Sequence, residues 1–299
     1  AYRRQRQMCI RDRFISDLNK TLEKSFPDVM RIAEDSSAYK KVTEPTEDGG
    51  LGFDYKWDLG WMNDTIKYFE VDSYNRSDYH SKITFSMFYF YNEKFLLPLS
   101  HDEVVHLKKP MINKMSGSYE DRFKELKVLN TYQMTHPGKK LNFMGNEIAT
   151  FDEWNENESI NWDILNYPIH DDFSRYLKDL NYLYKNNPVF FANDYIEEEF
   201  EWIIVDDSNT SVFAYERRLE GFRFLVVLNM ANMYHKSYEF PYNEDLKFIE
   251  KINSFSPNYG GAREEYRQIE IKKGNTLKLE LWEYEACIFE IVENNEKTN

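Results

Sequence analysis

The chain has 299 residues, with 52 acidic and 38 basic side chains and a net charge of −14. No segment is both strongly basic and rich in aromatic residues, so neither nucleic acid nor an anionic membrane is an expected partner, since both are held through cationic side chains. The 41% apolar and 30% charged residues are those of an ordinary globular protein; no apolar run approaches the ~20 residues that cross a bilayer, and Cys9 and Cys287 have no metal or redox spacing, so a reducing, cytoplasmic setting is expected.

Residues 1–13 are basic within an acidic protein, through Arg3-Arg4-Gln5-Arg6, and lack the apolar stretch of a signal peptide. They resemble a translated sequencing adapter and are expected to be a non-native tail. From 14 to 24, Phe14, Ile15, Leu18 and Leu22 recur at helical spacing. A short strand is predicted over 29–33, ending in Glu34-Asp35. Residues 36–52 read as loop, with Pro45 and a glycine cluster. A strand over 53–57 and a helix over 61–69 follow; 83–91 is aromatic-rich and ambiguous, and 95–99 is a buried strand. Ser118-Tyr119-Glu120-Asp121 has the form of a capping box. It opens a helix carrying Phe123, Leu126, Leu129 and Tyr132, which His136-Pro137-Gly138 stops. A strand over 140–144 leads into Gly145-Asn146-Glu147. Phe173, Tyr176, Leu177, Leu180 and Tyr184 mark a last helix, ended by Pro188.

Beyond Pro188 come short β-prone runs at 202–205, 211–215, 222–228, 246–252, 268–271, 277–284 and 286–292, separated by turn residues, as in an all-β sandwich. The earlier alternation of strand and helix indicates a parallel sheet with helices outside it. Glu34 and Asp102 follow strands about two units of ~30 residues apart, with the 53–57 strand between them, which is the repeat of a (β/α)8 barrel. The expected fold is therefore α/β plus all-β: the C-terminal half of a (β/α)8 TIM barrel over 14–190 and a C-terminal β-sandwich domain over 191–299.

The most informative stretch is Leu97-Pro98-Leu99-Ser100-His101-Asp102-Glu103-Val104-Val105-His106. A buried strand here delivers two acids between two histidines, and unpaired carboxylates are costly to dehydrate, so the cluster suits a site at a strand end. An ionised Asp102 could stabilise positive charge, and His101 could donate to a ligand hydroxyl. Glu34, beside Ile32-Ala33, could act as a general acid. The competing roles are a loop-opening surface pair for Glu34-Asp35 and a helix cap for Asp102. His101 and His106 are five apart, whereas zinc helices space histidines four apart, so no metal is expected. Trp57, Trp61 and Trp154 could stack on sugar rings or pack in the core. Two carboxylates on neighbouring loops suit glycoside chemistry.

Four blocks, in order, carry a family resemblance: Ile32-Ala33-Glu34-Asp35-Ser36-Ser37; Gly49-Gly50-Leu51-Gly52 through Tyr55-Lys56-Trp57-Asp58-Leu59-Gly60-Trp61; residues 97–106; and Pro137-Gly138-Lys139-Lys140-Leu141-Asn142-Phe143-Met144-Gly145-Asn146-Glu147. They resemble the 1,4-α-glucan (glycogen) branching enzymes of the α-amylase clan. The resemblance implies a retaining transferase that cleaves an α-1,4-glucan (glycogen or amylose) and passes the segment to a 6-hydroxyl. It makes Glu34 and Asp102 the catalytic residues, as acid/base and transition-state stabiliser. His101, Glu103, Trp57 and Trp61 are the expected substrate-binding set, and neither metal nor organic cofactor is implied. The family's nucleophile stands in an Asp-Gly-Phe-Arg-x-Asp type motif ahead of the acid/base. No such motif precedes Glu34; Cys9-Ile10-Arg11-Asp12-Arg13 lacks the pattern, and the family's N-terminal β domain is absent. A branching-enzyme fragment, inactive alone, is therefore expected. The alternatives are a hydrolase of the same clan, for which Asn is expected where this chain has Ser100, and a non-catalytic glucan-binding module.

Overall fold

The computed structural model describes residues 2–37 and 39–293, with side chains from residue 10 onward. It opens with helix α1 (Tyr2–Ser25), which runs unbroken past residue 13. The apolar stripe predicted for this helix is mostly outside the core: Phe14 and Leu18 are exposed. Ile15 packs beside Ala33, Val42 and Leu51, and the buried Asn19 amide donates to Leu51 O at 2.8 Å.

Four strands then pair in parallel and in chain order: β1 (Ile32–Ala33), β2 (Tyr55–Trp57), β3 (Phe95–Leu99) and β4 (Lys139–Asn142). Ala33 lies beside Lys56, Lys56 beside Phe95, and Leu96 beside Lys139. All four carboxyl ends therefore open at one sheet edge. Helix α2 (Leu59–Glu70) follows β2 and buries Trp61, Met62, Thr65, Ile66 and Phe69. The ambiguous 83–91 stretch is no strand. It forms the short α3 (Ser81–Thr84) and tight 3-10 turns, which bury Ile83 and Phe90 but leave Phe85 and Phe88 exposed.

Helix α4 (Tyr119–Thr135) is capped by Ser118, the first half of the predicted capping box: Oγ accepts from the Asp121 amide at 3.2 Å, while Asp121 Oδ2 takes the Ser118 hydroxyl at 2.8 Å and not its amide. Its burial is not one-sided, for every residue from Glu125 to Thr135 is buried. Helix α5 (Pro168–Asn186) is an ordinary amphipathic helix with His170, Phe173, Tyr176, Leu177, Leu180 and Leu183 inward, and the proline occupies its first turn, where an amide would lack a partner anyway.

The remaining strands are β5 (Phe200–Ile204), β6 (Val212–Leu219), β7 (Phe222–Asn229), β8 (His235–Phe240), β9 (Leu246–Asn253), β10 (Gln268–Ile271), β11 (Leu277–Leu281) and β12 (Ala286–Glu293). Six of them form an antiparallel sheet in the order β10-β9-β12-β7-β6-β5, with β11 and β8 as a separate pair. Side chains alternate across the large sheet. Val212, Ala214, Leu225, Val227 and Phe289 face the β8–β11 pair, through Phe240, Leu277 and Leu279. Phe213, Tyr215, Phe224, Val226 and Ile288 share one core with Trp61, Leu129 and Tyr132 of the α/β part. A strand buried on both faces reads as a continuous apolar run, as Phe224 to Leu228 does.

Polar bonds cross the same interface. Arg76 is fully buried; its guanidinium donates to Glu125 Oε2 (2.7 Å), Met230 O (2.5 Å) and Phe69 O (3.1 Å). Burial raises the Glu125 carboxyl above its ordinary range despite Arg76. Asp194 joins Lys139 of β4 (2.9 Å) to Arg217 of β6 (3.0 Å). Tyr215 and Thr135 hydroxyls meet at 2.6 Å. The ring of His136 lies in the same core; burial pushes its pKa down to about 3, and Nδ1 donates to Pro137 O at 2.8 Å. Removing one partner of a buried pair strands the other charge. Arg76→Met is therefore expected to lower unfolding free energy by about 3–5 kcal/mol, read from urea titration; an unchanged midpoint would contradict this.

Candidate functional site

Glu34 follows β1 directly, and its side chain is exposed at the sheet edge. Its neighbour Asp35 is tethered: the Ser37 amide donates to Oδ1 (2.9 Å), the Ser37 hydroxyl to Oδ2 (2.8 Å), and Lys56 Nζ stands 3.8 Å away. Burial alone would raise the Asp35 carboxyl, but these partners together hold it below the usual carboxylate range. Asp35 thus opens the loop, and Glu34 is left facing out.

Two strand spacings of ~4.8 Å away, β3 ends in a one-turn helix over His101–Glu103. Ser100 caps it: Oγ accepts from the Asp102 amide at 3.3 Å and donates to Glu103 Oε2 at 2.7 Å, while the Ser100 amide donates to the same oxygen at 3.0 Å. The capping box takes Glu103, not Asp102. Asp102 stays about half exposed, with His101 Nε2 3.3 Å from its Oδ1. The His101 ring borders Phe143 after β4, and Phe143 meets Trp154 edge-on. Glu147 bonds its own turn, accepting from the Gly145 amide at 2.7 Å.

The aromatic candidates separate. Trp57 is half-buried and lines a recess of about 360 Å³ with Asp35, Lys56, Asp58 and Tyr89. Trp61, expected in the substrate-binding set, points the other way. It is 1% exposed and stacked on Tyr132, because α2 turns that side of the helix to the core. Of the predicted set, the sheet edge gathers Glu34, Trp57, His101 and Asp102 with open side chains; Glu103 is engaged as a cap and Trp61 is in the interior. Among the described residues the one cluster of metal-ligating type is Glu250, Glu285 and Cys287, far along the chain in the β part. Its carboxylates are held by Arg263 and Arg267.

One residue at this edge escaped the sequence reading. Asp58 follows β2 between the two candidate carboxylates and caps α2: Oδ1 accepts from the Trp61 amide (2.8 Å) and the Tyr89 hydroxyl (2.9 Å), while Oδ2 is buried without a partner. An acid directly between a strand and a helix was the available signal. Burial raises its pKa from 3.8 to about 6.

One family model, two curated relatives and two crystal structures bear on identity. Residues 202–292 match the family model described as "Alpha amylase, C-terminal all-beta domain". The chain is 43% identical over 251 residues to the 1,4-alpha-glucan branching enzyme GlgB of Bacillus caldolyticus, covering 83% of this chain and 38% of that protein. It is 39% identical over 264 residues to GlgB of Bacillus subtilis (strain 168), covering 87% and 42%. The chain thus spans about two fifths of the length of the curated relatives it matches. Its fold is similar to crystal structures of an Anoxybacillus alpha-amylase (TM-score 0.61, 15% identity, 95% of this chain and 57% of that one) and of the alpha-amylase from Geobacillus thermoleovorans complexed with acarbose (TM-score 0.63, 12% identity, 95% and 58%).

Asp58 yields a pH test. Its raised pKa means the fold favours the protonated form, so its contribution is present at low pH and lost as pH rises through about 6. Asp58→Asn keeps the Oδ1 acceptor and cannot ionise. At pH 8 it is expected to be more stable than the native chain by about 1–3 kcal/mol, the gain fading towards pH 4. Thermal melting across that range checks this; a pH-independent difference would contradict it.

Proposed function

The chain belongs to the 1,4-alpha-glucan branching enzyme family of the alpha-amylase clan, and from that premise we propose that it is the portion of a branching enzyme that carries the acid/base and the transition-state stabiliser. Its parallel strands β1 to β4 are the fifth to eighth of a (β/α)8 barrel, followed by the β-sandwich. In support, β1 and β4 are sheet edges without further strands among the described residues.

In the proposed reaction Glu34 protonates the glycosidic oxygen of an α-1,4-glucan as that bond breaks. The carboxylate of Asp102 stabilises the oxocarbenium-like centre, while His101 donates to a sugar hydroxyl and Trp57 borders the chain. Glu34 then acts as base towards a 6-hydroxyl, forming the α-1,6 branch. The observation that carries this reading is the sorting of carboxylates at the edge. Asp35, Asp58 and Glu103 are engaged by Ser37, Trp61 and Ser100, whereas Glu34 is exposed and Asp102, with only His101 at its side, is half exposed. Retention requires a nucleophile ~5–5.5 Å from the acid, and the sequence before Glu34 holds no Asp-Gly-Phe-Arg-x-Asp motif. The intact enzyme would act on glycogen or amylose in the cytoplasm, without a metal.

This chain alone is therefore expected to leave iodine-stained amylose unchanged; a spectral shift with new α-1,6 linkages would contradict the missing nucleophile. Joined behind the part of the Bacillus subtilis relative that precedes its matched region, it is expected to branch amylose. In that fusion Glu34→Gln and Asp102→Asn should each lower kcat by about 10²–10⁴-fold. A Glu34→Gln fusion at full rate would overturn the assignment.

A further inference from the structure

The loop after the His101–Glu103 turn carries an unusual backbone. His106, Leu107 and Lys109 have φ of 56°, 70° and 68°, the left-handed region that side chains with a Cβ disfavour. Leu107 is also 93% exposed, so packing of its own side chain does not hold it there. The loop is continuous with the candidate site, since the Val104 and Val105 amides both donate to His101 O, at 3.0 and 3.1 Å.

What opposes the strain comes from the loop after β4. Glu153 accepts from the Leu107 amide through Oε2 and from the Lys109 amide through Oε1, both at 2.9 Å. One carboxylate thus takes the two amides that flank Lys108. Lys114 Nζ fixes the residue between them, donating to Lys108 O at 2.7 Å. The two amides hold the Glu153 carboxyl below the usual carboxylate range, so at neutral pH it is the acceptor these bonds need.

We propose that Glu153 is a positioning residue: it clasps the 106–109 loop to the β4 loop in a strained conformation and so fixes the His101–Asp102 turn at the mouth of the site. Removing the charge would let the loop relax to ordinary φ values and loosen the turn. A glycine at 107 would do the opposite, because glycine adopts positive φ without steric cost.

Trypsin reads the clasp at the Lys108–Lys109 bond in the whole chain, with thermal melting run alongside. Glu153→Gln is expected to be cut there about tenfold faster, the loss of charge-assisted bonds, with an unchanged Tm. Adding Leu107→Gly should return the rate towards the native one. An unchanged rate in Glu153→Gln, or no recovery in the double variant, would overturn the proposal. If Glu153→Gln instead lowers Tm, Leu107→Gly alone decides: slower cleavage than the native chain supports the clasp, and equal or faster cleavage overturns it. A second arm rests on the glucan reading: maltoheptaose should bind the native chain, more weakly Glu153→Gln, and the double variant should regain affinity. No binding to the native chain, with the cleavage pattern intact, would fail the glucan reading and leave the clasp standing. Equal affinity of native and Glu153→Gln chains would overturn the positioning role.

Discussion

Helix α4 has no solvent-facing side after its first turn, and the structure is arranged around that constraint. A buried polar side chain must find a partner or cost the fold its desolvation. The buried polar side chains of α4 from Glu125 to Thr135 do find one. Glu125 accepts from Arg76, Lys127 donates to Tyr259 O, Gln133 reaches Leu97 O and Leu141 O, and Thr135 meets Tyr215. Through these bonds α4 ties β3 and β4 on one side to the antiparallel sheet on the other. The two parts therefore share one core, and the strand ends that present His101 and Asp102 are braced from behind.

This explains which parts of the fold were legible in the sequence. Elements with a plain pattern declared themselves: β3 at 95–99 is a continuous apolar run, buried throughout, and the amphipathic α5 carries its helical period openly. The capping box at Ser118 and the stop at His136-Pro137-Gly138 located both ends of α4. Its second buried face did not show, because Glu125, Lys127 and Gln133 read as solvent residues, and their partners, Arg76, Tyr259 O and the carbonyls of Leu97 and Leu141, come from distant parts of the chain. The exposed Phe14 and Leu18 of α1 mark the opposite failure, since helical spacing names a stripe without saying what covers it. The strand β8 (His235–Phe240) went unread: only the last of its residues is fully buried, so its apolar signal is weak.

The site divides in the same way. Residue types at strand ends pointed to Glu34 and to the 101–103 cluster, and parallel pairing brings those ends to one edge. Which carboxylate would be free was beyond a linear reading. Glu103 and Asp102 are adjacent acids, yet only the first reaches back to Ser100; Glu34 and Asp35 are adjacent too, and only the second meets Ser37 and Lys56. Trp57 and Trp61 are four apart across a strand-to-helix junction, where the period changes from two to 3.6, and this sends one to the recess and the other to the core. Asp58 went unnoticed because a cap and a functional carboxylate look alike in sequence.

The proposed place for an α-glucan is the carboxyl end of the parallel sheet, with Glu34 and the His101–Asp102 turn as its polar contacts. Chemical-shift mapping of the chain titrated with maltoheptaose tests this most directly. Saturable shifts concentrated at Glu34, Trp57, His101 and Asp102 are expected, with the core around Trp61 and Tyr132 unmoved. Shifts confined to the β part, or absent from the β1 and β3 ends, would contradict it.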